Sequence, residues 1–479
     1  MQQEYFKMTD FQRKNKCRKK SLCTDVRLYY LRKVNNPSTP TLERRLGLFQ
    51  STVINMIDMV GIGPFVVLPL VISYIGGPAF LWAWIAGAFL SYIDAMVWSE
   101  LGAAYPEAGG SFNFLREAYG REKWGRLFSF LYVWQTLIQA PLVVASGAIG
   151  FAQYTGYLLP LDDISRKVVS GTLVIVLTVL LYRKIDTIGR IGTFLWAGVI
   201  LTIGGLIWGG VQHGNMQQPV ADMLDAGNLS LLLSAGFGSA MIKTIYSYLG
   251  YYNVCHLGSE IKNPGRNIPR SMFLSVTGIA LLYLLMNIAV TSVIPWNEAM
   301  HSEFIVSTFV EKLYGVTAAK WATVMVLWVA FASLFAVMLG YSRVPYAAAK
   351  EGEFFAAFAK IHPTKHFPHI ALLGLGITAF FFSLLFKLSE VITAILAMRI
   401  LVQFVGQAIG LIVLRRRNGT KHLPFKMPLY PLPVILAILI WLWVFYSTGA
   451  EFMQAGLTVI ALGILAFLLK ARTAKHWPF

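Results

Sequence analysis

The chain has 479 residues, of which 56% are hydrophobic, 14% aromatic and 13% charged, with a mean hydropathy of +0.59. A soluble domain carries about 25% charged residues, so this composition excludes a soluble globule and predicts an all-α, multi-spanning integral membrane protein. The net charge of +18 does not point to nucleic acid, because Lys and Arg gather in a tail and in alternate loops rather than on one binding face.

Residues 1–49 hold twelve Lys or Arg and no apolar core of signal-peptide length. They are expected to form a cytoplasmic arm that leans on anionic lipid headgroups. Cys17 and Cys23 lie in this arm and Cys255 far from it, without metal-ligand spacing or a paired framework. They read as spare thiols, with lipidation of the first two as the alternative.

Apolar segments follow at 51–75, 80–104, 127–155, 168–182, 190–211, 232–258, 271–294, 320–346, 370–386, 388–414, 431–447 and 452–469. A bilayer core of about 30 Å takes about 20 helical residues, so these predict twelve transmembrane helices, with the fourth, ninth and eleventh short. If the basic arm is inside and the spans alternate, the inside loops and tails collect 34 of the 41 Lys and Arg residues. Such asymmetry sets orientation and places both termini in the cytoplasm of a cell membrane protein. Asn228-Leu229-Ser230, a glycosylation sequon, falls outside.

The first span is interrupted. Gly61-Ile62-Gly63-Pro64 stands in mid-membrane three residues after Asp58, where it removes an amide donor and weakens the surrounding turn. Non-helical backbone at that depth is tolerated where it lines a cavity. The sixth span carries TIYSYLGYYNV, residues 244–254, with Gly250 among aromatics. Interruptions five spans apart, at the heads of two halves, point to a transporter site at the midplane. The freed amides of the second half-helix favour a carboxylate, and the free carbonyls of the first favour an ammonium. A molecule with both groups is an α-amino acid. Gly and Pro also make ordinary kinks; the second interruption favours the cradle.

Four further stretches extend the pattern. SELGAAYPEAGGSFNFLREAYG runs from Ser99 to Gly120, and GSEIKNPGRNIPRS from Gly258 to Ser271. SRVPYAAAKEGEFF and LRRRNGTKHLPFKMPLYP follow spans eight and ten. With GIGPFV, these resemble, in order and spacing, the amino acid–polyamine–organocation (APC) transporter superfamily over residues 50–435. Ile62 stands where the family has a small residue, and Pro64 where it has an apolar one. WQTLIQAPLVVASGAIGFAQY resembles the L-amino-acid transporter branch.

The resemblance implies a LeuT-type fold. That is two inverted five-helix repeats, 50–211 and 232–414, with helices 1 and 6 interrupted, followed by two C-terminal helices in 415–479. It implies alternating access and an amino acid or related amine as substrate. Carried over by position, Gly61, Ile62 and Gly63 meet the substrate carboxylate, with Pro64 beside them. Tyr246 takes the place of the aromatic gate and Gly250 that of the unwound glycine. Tyr251 and Tyr252 flank the substrate side chain, and Tyr248 completes the aromatic half-site. Packing and interfacial roles for these tyrosines remain the alternative. A helix-five Lys of the family is absent: Val199 stands there. LLPLDDISRK has no Cys, so no disulfide-linked glycoprotein subunit is expected.

Asp58 admits three roles: proton carrier, partner of a substrate amine, or structural acid bonded to neighbouring hydroxyls. Lys243 is a gating candidate facing an outer vestibule, or a Lys snorkelling near a helix end. Glu260, beside Lys262 and Arg266, reads as a gating or structural ion pair. Asp94 and Arg399 are deep charges that pair with each other on one reading.

No HExxH, CxxC pair, GxSxG or phosphate loop is present, so neither enzyme chemistry nor a cofactor is expected. HPTKHFPH, residues 362–369, reads as a turning loop before a metal site, and no metal is expected. No filter-like repeat suggests a channel. The reading is a secondary active transporter of amino acids or related amines, proton-coupled or exchanging. A polyamine or organic-cation permease on the same fold is the alternative; a non-transporting nutrient receptor or a channel comes from another class. The tyrosines suggest a sizeable or apolar substrate side chain, and Asp58 leaves a cationic amine open.

Overall fold

A computed structural model describes residues 42–121, 124–385, 388–420 and 423–473. The basic arm up to residue 41, with Cys17, Cys23 and its expected lipid contact, lies outside the described residues. Seventeen helices matter here. They are α1 (Leu48–Met59), α2 (Gly63–Ile75), α3 (Phe80–Ala104), α4 (Ser111–Tyr119), α5 (Trp124–Thr155), α6 (Asp163–Leu181), α7 (Ile185–His213), α8 (Ala235–Tyr248) and α9 (Asn253–His256). Then follow α10 (Pro264–Val293), α11 (Ile305–Tyr341), α12 (Arg343–Lys350), α13 (His369–Leu385), α14 (Leu388–Arg399), α15 (Gly406–Asn418), α16 (Leu432–Ser447) and α17 (Ala450–Thr473). Among the described residues there is no strand, only isolated bridges at Leu46–Ile261 and Ala108–Leu257.

Among the described residues, eight helical stretches are long and apolar enough to cross a membrane, and the α1–α2 pair, bent by 45°, adds a ninth. α13 and α16 are shorter apolar helices. Helix dominates because every backbone polar group must be bonded within its own segment in hydrocarbon. Starts follow local chemistry: the Asp162 carboxylate accepts from the Ser165 amide at 3.0 Å at the head of α6, and Pro264 opens α10.

Three expected spans differ in shape. The sixth, read as 232–258, is α8, an unwound stretch at 249–252, and α9. The eighth begins at Ile305 rather than 320, because residues before a non-helical Gly315 (φ 83) are also helical. The tenth contains a π turn, Ile400–Val405, between α14 and α15.

Loops gather at two ends. At one, α3–α4 meets α12 through Arg116–Glu351 (2.6 Å), and α5 and α17 meet at Glu353 through Arg126 (3.2 Å) and Lys470 (3.0 Å). Lys365 donates to the Tyr182 carbonyl at 2.9 Å. These are the Lys- and Arg-rich loops, so this is the basic end. At the other end, Tyr157 donates to Glu311 (2.7 Å), Lys312 pairs with Glu298 (3.0 Å) and Trp82 donates to the Met223 carbonyl (3.2 Å).

Two buried ion pairs brace the basic end. Arg343 grips Glu260 with both forks, Nη2 at 2.8 Å and Nε at 2.9 Å, at 1% and 0% side-chain exposure. The expected neighbours Lys262 and Arg266 do not take this role, since a chain turning through the 3-10 segment Gly258–Glu260 carries the carboxylate inward to α12. The Glu260 carbonyl accepts from the amides of Arg45 and Leu46, both at 2.9 Å, which straps residues 44–46 beneath α1. Arg415 on α15 likewise grips Glu100 on α3, with Nε at 2.6 Å, and lies over the Tyr430 ring.

Replacing Glu260 with Gln, or Arg343 with Met, leaves one buried charge without its partner. Each single variant is expected to lose about 3–5 kcal/mol, and the double variant less than the sum. Thermal unfolding of detergent-purified protein reads this; single variants that melt with the parent rule out a bracing role.

Candidate functional site

Both interruptions fall against each other in the interior. After Met59 the chain leaves the helix, and the Gly61 amide reaches back to the Met59 carbonyl at 3.1 Å. The amides of Phe65 and Val66 return to the Ile62 carbonyl, both at 3.2 Å. Among the described residues, the Ile62 and Gly63 amides donate to no protein acceptor, and Pro64 has none to donate. The positive end of α2 therefore carries two open donors.

In the second interruption Gly250 has φ +124, a conformation that L side chains rarely adopt. A Cβ there would meet the Met59 amide nitrogen at 2.8 Å and the Asp58 carboxyl carbon at 2.9 Å. Glycine is required for both reasons, and the close approach seats one break on the other. Tyr283 on α10 ties the two, donating to the carbonyls of Met59 (2.7 Å) and Ser247 (3.1 Å). Asn55 on α1 accepts from the Val254 amide of α9 at 2.9 Å.

A cavity of about 70 Å3 lies between the breaks. Asp58, Gly61, Ile62, Gly63, Tyr246, Gly250 and Tyr252 line it. α5 contributes Val143 and Gly147; α11 contributes Ala330, Ser333, Leu334, Val337 and Tyr341. Ser333 donates to the Asp58 carbonyl at 3.2 Å, and a Cβ on Gly61 would meet its Oγ at 2.8 Å. Tyr246 is held by Ser146 of α5, hydroxyl to hydroxyl at 3.2 Å.

Other expected site residues lie elsewhere. Pro64 is buried in α2 and does not line the cavity. Tyr248 packs edge-on against Trp84 at 6.1 Å and beside Tyr283 at 5.2 Å. It points away because it lies two positions on from Tyr246, about 200° around a helix. Tyr251 donates to Asp94, which also accepts from Trp441 at 3.0 Å. Asp94 therefore does not pair with Arg399: it anchors the unwound stretch to α3 and α16. Lys243, 7% exposed, is absent from the lining and donates to Thr393 on α14 at 3.1 Å. Glu260 belongs to the brace at the basic end.

A charged lining residue that the sequence did not assign to this site is Arg399. It ends α14, is 2% exposed and lines the cavity. Its Nη2 donates to the Tyr252 hydroxyl and its Nε to Gln403 Oε1 at 2.9 Å. Its guanidinium lies 5.1 Å from the Tyr252 ring and 5.4 Å from that of Phe404, within reach of cation–π attraction. The signal was an Arg inside an apolar span, since such residues face a cavity or a partner. The lining thus joins open amides, one carboxylate and one guanidinium inside an apolar shell, a combination suited to a small zwitterion. The 362–369 loop turns on itself, with the His366 amide donating to the His362 carbonyl at 3.0 Å, and its His362 and Phe367 rings stack.

The amino acid permease family profile matches residues 46–467. The serine/threonine exchanger SteT of Bacillus subtilis (strain 168) is 27% identical over 436 residues, covering 88% of this chain and 94% of that protein. The branched-chain amino acid permease BcaP of the same organism is 24% identical over 461 residues, covering 91% and 94%. The human cystine/glutamate transporter is 25% identical over 442 residues, covering 89% and 85%. This chain is a multi-pass membrane protein and belongs to the amino acid permease family.

Proposed function

We propose that the protein is a secondary active transporter that moves a small α-amino acid through the cavity between its two broken helices, by proton coupling or exchange. The observation that carries this is the pair of open amides at Ile62 and Gly63 facing the same cavity as Asp58. An amino acid carboxylate satisfies the amides at the positive helix end. Its ammonium meets the Asp58 carboxylate, which borders the same cavity. The volume, room for roughly five waters, favours a small side chain over the sizeable one that the tyrosines suggest. Arg399 in the lining disfavours a polycation. Relatives named for serine/threonine exchange and for branched-chain amino acids support an amino acid of modest size.

The same reading takes the chain as twelve crossings, with the halves 50–211 and 232–414 inverted relative to each other and two helices after them. It makes the basic end cytoplasmic and takes the basic N-terminal tail to anionic headgroups. Contact between the two broken helices is what a site shared by two repeats requires.

Purified protein in liposomes is expected to show saturable uptake and counterflow of labelled small amino acids. Binding without counterflow supports a receptor instead, and no binding to any of the twenty amino acids overturns the assignment. Gly63→Val is expected to abolish binding by filling the cradle without unfolding the chain. A Cβ there meets Ser247 Oγ at 3.4 Å and Tyr246 at 3.7 Å, both ordinary contacts, so parental affinity in that variant removes the amides from the site. Asp58→Asn is expected to eliminate the stimulation of uptake by an inward proton gradient. Stimulation that persists in this variant removes Asp58 as the proton carrier.

A further inference from the structure

Two rows of buried glutamines lead away from the cavity toward the basic end. On α5, Gln135, Gln139, Val143 and Gly147 recur every four residues, which keeps them near one helix face. Val143 and Gly147 line the cavity, so Gln139 and Gln135 lie roughly 6 and 12 Å nearer the basic end. The second row is Arg399, Gln403 and Gln407, running from the cavity through the π turn into α15. The four glutamines are at most 1% exposed. Each keeps a polar atom without a partner: both side-chain atoms of Gln135, Oε1 of Gln139, and Nε2 of Gln403 and of Gln407.

Their remaining bonds point along the rows. Gln139 donates to the Tyr341 hydroxyl at 3.1 Å, and Tyr341 lines the cavity. Gln403 accepts from Arg399, and Gln407 Oε1 accepts from Ser111 at 2.6 Å. Ser111 opens α4 two residues before Asn113, which lines a second cavity of about 280 Å3 at the basic end, together with Glu107, Ser259 and Lys350. Buried amides without partners are rare in folded proteins, and each calls for a reason. Leu or Met would pack these positions at no such cost. Two aligned rows that begin at one cavity and descend toward another place the unpaired atoms where water would bond them.

We propose that Gln135, Gln139, Gln403 and Gln407 line a water-filled route between the central cavity and the basic-end cavity, closed in this conformation and hydrated when the protein opens to that side. This rests on the transport reading above. The test uses full-length protein in liposomes with its three native cysteines replaced by alanine. Single cysteines replace Gln135, Gln403 or Gln407, with Val144→Cys on α5 as the buried control. Thiols in the rows are expected to react with a membrane-impermeant methanethiosulfonate roughly tenfold faster than the control, as transient opening admits the reagent. Reactivity equal to the control overturns the route, and this arm reads out even if no substrate is transported. Gln135→Leu is expected to melt at or above the parent temperature, because it removes two unpaired polar atoms, while turnover falls roughly tenfold at little-changed KM. Unchanged turnover, or a lowered melting temperature with lost uptake, gives the glutamine a packing role and overturns the proposal.

Discussion

The contact of Gly250 with Asp58 and Met59 is the constraint on which the rest of the interior depends. A helix broken in hydrocarbon leaves donors and acceptors that cost about 1–3 kcal/mol each when unpaired, so a lone break is expensive. Here two breaks share the expense. Asn55 accepts from Val254, Tyr283 caps a carbonyl on each break, and the residual amides of Ile62 and Gly63 open on the cavity. Any side chain at position 250 would push the breaks apart, and the cavity exists because nothing fills it.

Around that contact the polar residues divide by task. Asp94 and Tyr283 are interior struts. Asp94 holds Tyr251 and Trp441, and Trp441 stacks on Phe404 at 4.0 Å. Asp58 and Arg399 instead keep one side toward the cavity. Acids of the same type, Asp58 and Asp94, thus have different chemistry available because one is enclosed by fixed donors and the other borders open space.

The basic end is rigid in another way. Glu260–Arg343 and Glu100–Arg415 each join segments more than eighty residues apart. Both place a bidentate arginine on a fully buried carboxylate, where breaking the pair costs more than forming it returned. Glu260 also receives residues 45 and 46 on its carbonyl. The exit of the second broken helix, the segment before the first, and the end of α11 are therefore mechanically one unit.

Composition, hydropathy and the alternation of cations sufficed to read a helical membrane protein with two interrupted spans, because insertion energetics act on each segment separately. Gly61, Gly63 and Gly250 were legible for the same local reason: glycine and proline announce a break wherever they sit. What stayed hidden is every partnership across segments. Tyr246 and Tyr252 face the cavity while Tyr248 and Tyr251 turn away, a choice set by where the helix unwinds. Glu260 takes Arg343 rather than its own neighbours, and Arg399 enters the site rather than meeting Asp94. Those outcomes depend on distances between helices that no local pattern encodes, so only the packed structure selects which buried charge finds a partner and which is left facing the cavity.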